Sequence, residues 1–355
     1  MPSRFFILLA LLAASPVFAE DRPAGPPAPP RDPLMPPSPA PTDAGSRWSL
    51  EAGQWSVYDS NIDHLNPPRS DYGLVFMGAG AWQNRVSKPT LALRYEGALH
   101  RYTHSTKWNR FSQRAEADFE KRISKRWITE TRAEISLKGS SEDRELSNQY
   151  SILQMLDYRI VRGLELRLFG LARLKRYPAP DQGRDATNAY AGPALRARLG
   201  GARLELATRY EYNAARDQRR DYERWVHAVG ILAPFGRSDA LDLGVKFYDQ
   251  QYPFRVVDDG AAQGQLRKDQ RLVVSASWMH RFREDLGLEL AYKLDGRRSN
   301  ELDKGYDEHQ AAVSFVYRFD RPRSRPVEQR RETTPTSGPP SPAAPPPGRT
   351  GRGSS

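Results

Sequence analysis

The side chains able to do chemistry in this chain fall mostly at every second position. Arg94 and Glu96 stand two apart, and Glu130, Arg132, Glu134 and Lys138 keep the same phase further on. Glu165, Arg167, Arg173 and Lys175 do so again, as do Arg203, Glu205, Arg209 and Glu211. In an extended chain, residues two apart point to one face. Charges of both signs on that face can pair across neighbouring strands. A closed ring of such strands would carry them around a lumen, where they would sort ions and polar solutes rather than make bonds.

Groups suited to bond-making are scarce. The 355 residues include six His and no Cys, which removes thiolate chemistry, thiolate metal sites and disulfide frameworks. The densest cluster is "HRYTHST", with His100, His104 and Ser105. It lacks a His-x-Ser spacing, adjacent strand residues point to opposite faces, and no partnering carboxylate can be assigned. Asp59-Ser60-Asn61 and Asp258-Asp259-Gly260 read as loop turns rather than calcium ligands. The sequence therefore predicts no enzyme, no cofactor and no metal.

The alternate positions show what must hold these charges. Leu91, Leu93, Tyr95 and Leu99 lie opposite Arg94 and Glu96; Trp127, Thr129, Thr131, Ala133, Ile135 and Leu137 lie opposite the second set. Leu164, Leu166, Leu168 and Leu174 oppose the third, and Leu204, Leu206, Tyr210 and Tyr212 the fourth. These segments run about 10–13 residues, longer than the usual 5–6 of a soluble sheet and long enough to cross hydrocarbon at a tilt. Mean hydropathy of -0.72 argues against a membrane helix. A barrel escapes that argument, because only every second residue meets lipid. The fold class read here is all-β: a transmembrane antiparallel up-and-down β-barrel.

Strands start near Trp48, Tyr72, Thr90, Arg110, Arg126, Gln149, Gly163, Ala186, Ala202, Asp221, Leu241, Leu272, Leu286 and Gln310. That makes about fourteen, within a range of about twelve to eighteen, and an even number keeps both termini in the periplasm. Short connections such as "ISK", "VRG" and "GG" alternate with longer polar ones such as "GSSEDRELS" and "QQYPFRVVDDGAAQGQLRKDQ". Gln154 and Asn188 point outward in this register, and the strand near Asp221 mixes Arg224 with Val226. Trp82, Trp108, Trp127, Trp278 and Tyr292 lie toward strand ends, as the aromatic girdles of a membrane barrel require.

The ends of the chain add a compartment. Residues 1–19 have a basic start, the apolar run "FFILLALLAA" and "VFA" before Glu20, the pattern of a removable secretory signal. Residues 20–46 form a Pro-rich periplasmic linker, 47–319 the barrel, and 320–355 a disordered Pro/Arg-rich periplasmic tail that cannot bury a core. Most of the formal charge of +11 falls in the barrel region, a weak preference for anionic solutes. Secretion removes the chain from nucleic acid. The last strand carries Val313, Phe315, Tyr317 and Phe319 on one face, which resembles the terminal signal shown to the barrel assembly machinery. That machinery and outer-membrane lipid are the partners this implies.

"WSVYDSNIDHLN" carries a second resemblance. Tyr58 to Ile62 resembles the opening of the C-terminal barrel of surface lipoprotein assembly modifiers, and similar openings occur in barrels that export polysaccharide. The resemblance implies an outer-membrane channel, foremost the integral component of an exopolysaccharide export pathway supplied by a separate periplasmic protein. Translocation of lipoproteins to the cell surface and general small-solute porin activity are the alternatives.

Overall fold

A computed structural model describes residues 46–62, 68–84, 89–106, 109–140, 147–178, 181–236, 238–258, 260–283, 285–302 and 304–320. The secretory signal, nearly all of the linker, the tail beyond Asp320 and Trp108 lie outside the described residues.

Fourteen strands carry the chain: β1 (Ser46–Asp59), β2 (Asp71–Asn84), β3 (Thr90–Tyr102), β4 (Arg110–Arg122), β5 (Trp127–Ser140), β6 (Asn148–Val161) and β7 (Leu164–Arg176) form the first half. β8 (Ala186–Leu199), β9 (Ala202–Ala215), β10 (Tyr222–Phe235), β11 (Asp239–Val256), β12 (Leu266–Arg281), β13 (Leu286–Ser299) and β14 (Tyr306–Asp320) form the second. Each pairs antiparallel with its neighbours in the chain, and β1 pairs with β14 to close the ring. Closure leaves no strand edge, so every strand has a hydrogen-bonded partner on both sides. At about 3.3 Å per residue and a tilt near 40°, fourteen residues rise about 35 Å, enough to span a bilayer core. Among the described residues no helix is long and apolar enough to cross a membrane; the crossing is made by strands.

Alternation sorts the two faces. Leu93, Ile152, Leu168, Leu206, Val229, Val245, Leu272, Leu290 and Val313 face outward and are exposed. Aromatic pairs mark both margins of this belt. Trp48 with Trp82 (6.3 Å between ring centroids), Trp127 with Tyr158 (4.6 Å) and Tyr317 with Phe319 (4.3 Å) lie toward the end with the short turns. Tyr58 with Tyr72 (5.0 Å) and Tyr210 with Trp225 (5.2 Å) lie toward the other. An apolar belt between two aromatic girdles is the surface a lipid bilayer solvates.

Two turns show why glycine ends the short connections. Gly163 and Gly200 sit at φ 86° and φ 63°, in the left-handed region that tight hairpins need and side chains resist. A third glycine serves a different purpose. A Cβ on Gly192 would lie 2.0 Å from the Thr208 carbonyl oxygen. There the β8–β9 ladder skips Gly192 and Pro193, which allows a proline inside the strand.

Three expectations need correction. Asn188 points inward and is fully buried, donating to Glu211 at 2.7 Å. Its outward neighbours Thr187, Ala189, Ala191 and Pro193 are small, so hydropathy barely distinguishes the two faces of β8. Secondly, β12 begins at Leu266 rather than near Leu272, and β11 runs to Val256. A shift of register after Gln251 places Pro253 where the ladder is broken, so a loop-like sequence continues as a two-stranded extension. Finally, β14 begins at Tyr306, not near Gln310. Gln154 does point outward, and Thr131 (2.6 Å) and Thr129 (2.8 Å) satisfy its amide.

Candidate functional site: the inner wall

The charged residues named from the sequence share the inner face with partners the spacing did not reveal. On β3, Arg94 lies 3.6 Å from Glu96. On β5, Arg132 reaches Asp118 at 2.5 Å, Glu116 at 3.5 Å and Glu130 at 3.4 Å, while Glu134 lies 3.7 Å from Arg114. Lys138 stands half-buried further along that face. On β7, Arg167 forks onto both oxygens of Asp157, its Nη2 at 2.6 Å, and Glu165 lies 3.7 Å from Arg159. Arg173 is buried and Lys175 half-buried in the same row. On β9, Glu205 binds Arg196 at 2.7 Å, and Glu211 receives Arg224 at 2.7 Å and Arg209 at 3.4 Å. Arg203, nearest the short-turn end, is exposed.

Two strands show why such partners escape the spacing. β4 supplies Arg114, Glu116 and Asp118, but its outer face is thin, with Ala115 and Ala117 between Phe111 and Phe119. β12 supplies Arg267, Asp269 and Arg271 from the stretch that reads as loop. Asp269 is held by Arg267 (2.9 Å) and Arg297; Asp295 by Arg271 (2.5 Å) and Lys293 (3.0 Å). Arg224 and Val226 both face inward on β10, so the mixed pattern there is one face carrying an ionic and an apolar residue.

Tyrosine is the second missed component. Arg209 lies over Tyr190 at 4.4 Å, Arg224 over Tyr222 at 4.9 Å and Tyr248 at 5.4 Å, Arg271 over Tyr248 at 5.4 Å, and Arg267 over Tyr252 at 4.5 Å. The Tyr222 hydroxyl donates to Glu211 at 2.9 Å, and Arg297 donates to the Tyr252 hydroxyl at 3.2 Å. From β8 to β13 the wall is thus a run of stacked planar groups whose polar edges are tied to carboxylates. Guanidinium over a ring and guanidinium forked on a carboxylate use different faces of the same group, so one arginine serves both. By alternation the inner positions of β1–β7 carry cations and carboxylates in near-equal number, whereas cations exceed carboxylates on those of β8–β13.

The segments considered for catalysis have structural partners. His104 Nδ1 lies 3.2 Å from Asp71 Oδ1, and Asp71 also accepts from the backbone N–H groups of Tyr72 (2.7 Å) and Ser105 (2.6 Å). His100 is buried on the inner wall. Ser105 therefore contributes its backbone, while Asp71 ties the start of β2 to the loop after β3. In Tyr58 to Ile62, Asp59 Oδ1 accepts from Asn61 N at 2.9 Å, a side-chain turn that ends β1. Asn61 Nδ2 then donates to the Asp307 carbonyl at 3.2 Å, across the closing strand pair. Among the described residues no group of three or more His, Asp or Glu side chains gathers as a metal would require.

On the last strand, Val313, Phe315 and Phe319 face outward and are exposed, and Tyr317 packs edge-on against Phe319.

No family model matches the chain, and no curated protein is similar to it in sequence. Solved structures with a similar course of chain include OmpT, an outer membrane protein of Vibrio cholerae (8% identity, TM-score 0.47, 79% of this chain and 99% of that one). An anion-selective porin from Comamonas acidovorans matches at 9% identity and TM-score 0.47, over 78% of this chain and 99% of that one. A bacterial polysaccharide outer membrane secretin matches at 12% identity and TM-score 0.47, over 77% of this chain and 98% of that one.

Proposed function

We propose that the protein is an outer-membrane β-barrel channel whose cargo is a hydroxylated polymer, a secreted polysaccharide supplied by a separate periplasmic protein. The observation that carries this reading is the inner wall of β8–β13. Sugar rings offer apolar C–H faces and pairs of hydroxyls. Tyr190 and Tyr222, only half-buried, offer ring surface to the faces, while guanidinium and carboxylate edges side by side offer donor and acceptor to adjacent hydroxyls. Cations outnumber carboxylates along this stretch, so a neutral or acidic polymer fits it. In this reading both termini are periplasmic, because the two chain ends of an even-stranded barrel share the short-turn side. Val313, Phe315, Tyr317 and Phe319 serve as the assembly signal, and the residues of the inner wall as the lining.

The test joins two measurements. Loss of the whole gene should abolish surface polymer, with surface lipoproteins unchanged. Purified barrel in planar bilayers should show ion current that oligosaccharides block from one or both sides. Normal surface polymer in the deletion strain would overturn the proposal. Loss of a surface lipoprotein instead would favour translocation of that cargo.

A further inference from the structure

The belt on the outer face has a hollow across the closing strands. Cross-strand pairing sets two adjoining rows across the closing strands. The first runs Leu290, Val313, Ser56, Leu74, Arg101; in the second, Ala311 and Tyr58 are paired beside Tyr72. Ser56 and Ala311 are the small members, and the bulkier side chains around them leave a mainly apolar groove of about 610 Å³. It straddles the β1–β14 closure on the lipid side, at the long-loop end of the barrel.

Arg101 and Thr103 line the same groove. Thr103 is satisfied, its hydroxyl donating to the Tyr72 carbonyl at 3.0 Å. Arg101 is exposed and forms no ion pair among the described residues. Two other outward cations at this end are paired. Arg298 forks onto Asp307 at 2.9 and 3.0 Å, and Arg176 lies 3.4 Å from Asp185. A guanidinium with no ion-pair partner among the described residues, at the margin of an apolar groove on a surface that meets lipid, calls for an anion attached to a hydrocarbon chain. Phosphate matches a guanidinium fork, and an acyl chain fills a hollow that water would leave unsatisfied.

We propose that this groove is a specific site for a phosphorylated glycolipid of the outer leaflet. One acyl chain lies over Ser56 and Ala311, and a headgroup phosphate sits on Arg101. The assignment of leaflet rests on the outer-membrane orientation proposed above; the site itself rests on the groove and the cation. A lipid seated there covers the strand pair that closes the barrel.

The experiment uses full-length protein extracted from native membranes in mild detergent, with retained lipid read by native mass spectrometry and identified after release. Wild type should keep one phosphorylated glycolipid. Arg101→Glu and Ala311→Trp should each lower its occupancy at least tenfold, whereas Lys268→Glu, an outward cation away from the groove, should not. Heat-modifiable migration on gels confirms that each variant is folded; Ser56→Leu replaces Ala311→Trp if the latter is not. Equal retention by all variants, no retention by wild type, or a retained lipid without phosphate would overturn the proposal. Retention of a phospholipid, lost in the same variants, would overturn the glycolipid assignment. Fractionation of the protein away from the outer membrane would instead count against the orientation, and direct titration of vesicle-reconstituted barrel with purified glycolipid would still decide the site.

Discussion

Two arcs of the inner wall solve one problem by different chemistry. From β4 to β6 the inward positions hold no aromatic ring, and the charges are satisfied by one another: Arg132 alone meets Glu116, Asp118 and Glu130. From β8 to β11 each central arginine meets both a carboxylate and a tyrosine, as Arg224 meets Glu211, Tyr222 and Tyr248. The ionic arc is a closed account in which sign cancels sign. The aromatic arc adds flat apolar surface beside polar edges, the feature on which the proposed polymer cargo rests. The difference teaches that lining charge alone says little about cargo; what stands next to the charge decides.

The largest effect should come from breaking the aromatic arc at its hub. Arg224→Ala leaves Glu211 buried beside the more weakly placed Arg209 at 3.4 Å, and frees two tyrosine faces. Removing one partner of a buried ion pair costs about 3–5 kcal/mol. Unfolding of the barrel in lipid vesicles by urea should show a loss of that order. A change within about 1 kcal/mol, the range of an exposed pair, would mean that the arc is wetter than its burial suggests.

How much of this was legible in the sequence follows from the same contrast. β3, β5, β7 and β9 can be read because Leu, Ile or Tyr on one face opposes charge on the other. On β8 the phase at Asn188 is hidden because alanine fills both faces. The start of β12 is hidden because Arg267, Asp269 and Arg271 are followed by the apolar run and preceded by glycine and glutamine. The pairings could not be read at all. That Asp118 meets Arg132 depends on the register between β4 and β5, which period does not fix. Nor does alternation mark the inward tyrosines, since Tyr is common on both faces of any strand. The aromatic arc, on which the proposed cargo rests, therefore emerged only with the structure.

Lipid should be indifferent to the contrast, which gives a second test. Val229 on β10 and Ala115 on β4 both face outward in the middle of their strands. Arginine at either place should cost about 2–4 kcal/mol, the depth-dependent penalty near a bilayer midplane. Similar losses for Val229→Arg and Ala115→Arg in vesicle refolding would show one continuous belt. A harmless substitution at one of them would place that strand against protein or water.

The arcs should separate most clearly in transport. Tyr248→Ala removes the ring over which Arg224 and Arg271 lie but leaves their carboxylates in place. Loss of such stacking is worth about 1–2 kcal/mol, so oligosaccharide block of the channel should weaken roughly tenfold while ion current stays or rises. Unchanged block would take the tyrosines out of recognition.

The smallest effect is expected beside the ionic arc, on β3, at Arg94. Its 3.6 Å contact with Glu96 is longer than a charge-assisted hydrogen bond, and both side chains keep partial access to solvent (20% and 14%). Such a pair contributes about 0–1 kcal/mol, and truncation lets water reach the carboxylate that remains. Arg94→Ala should therefore leave folding within about 1 kcal/mol of wild type and oligosaccharide block unaltered, with at most a small change in ion selectivity. The result discriminates because Arg94 is one of the charges that the sequence displays most openly, whereas Arg224 lies in a strand whose pattern looks mixed. If Arg94→Ala weakened block as much as Tyr248→Ala, cargo would be sensed by charge around the whole wall, and the division into two arcs would fall.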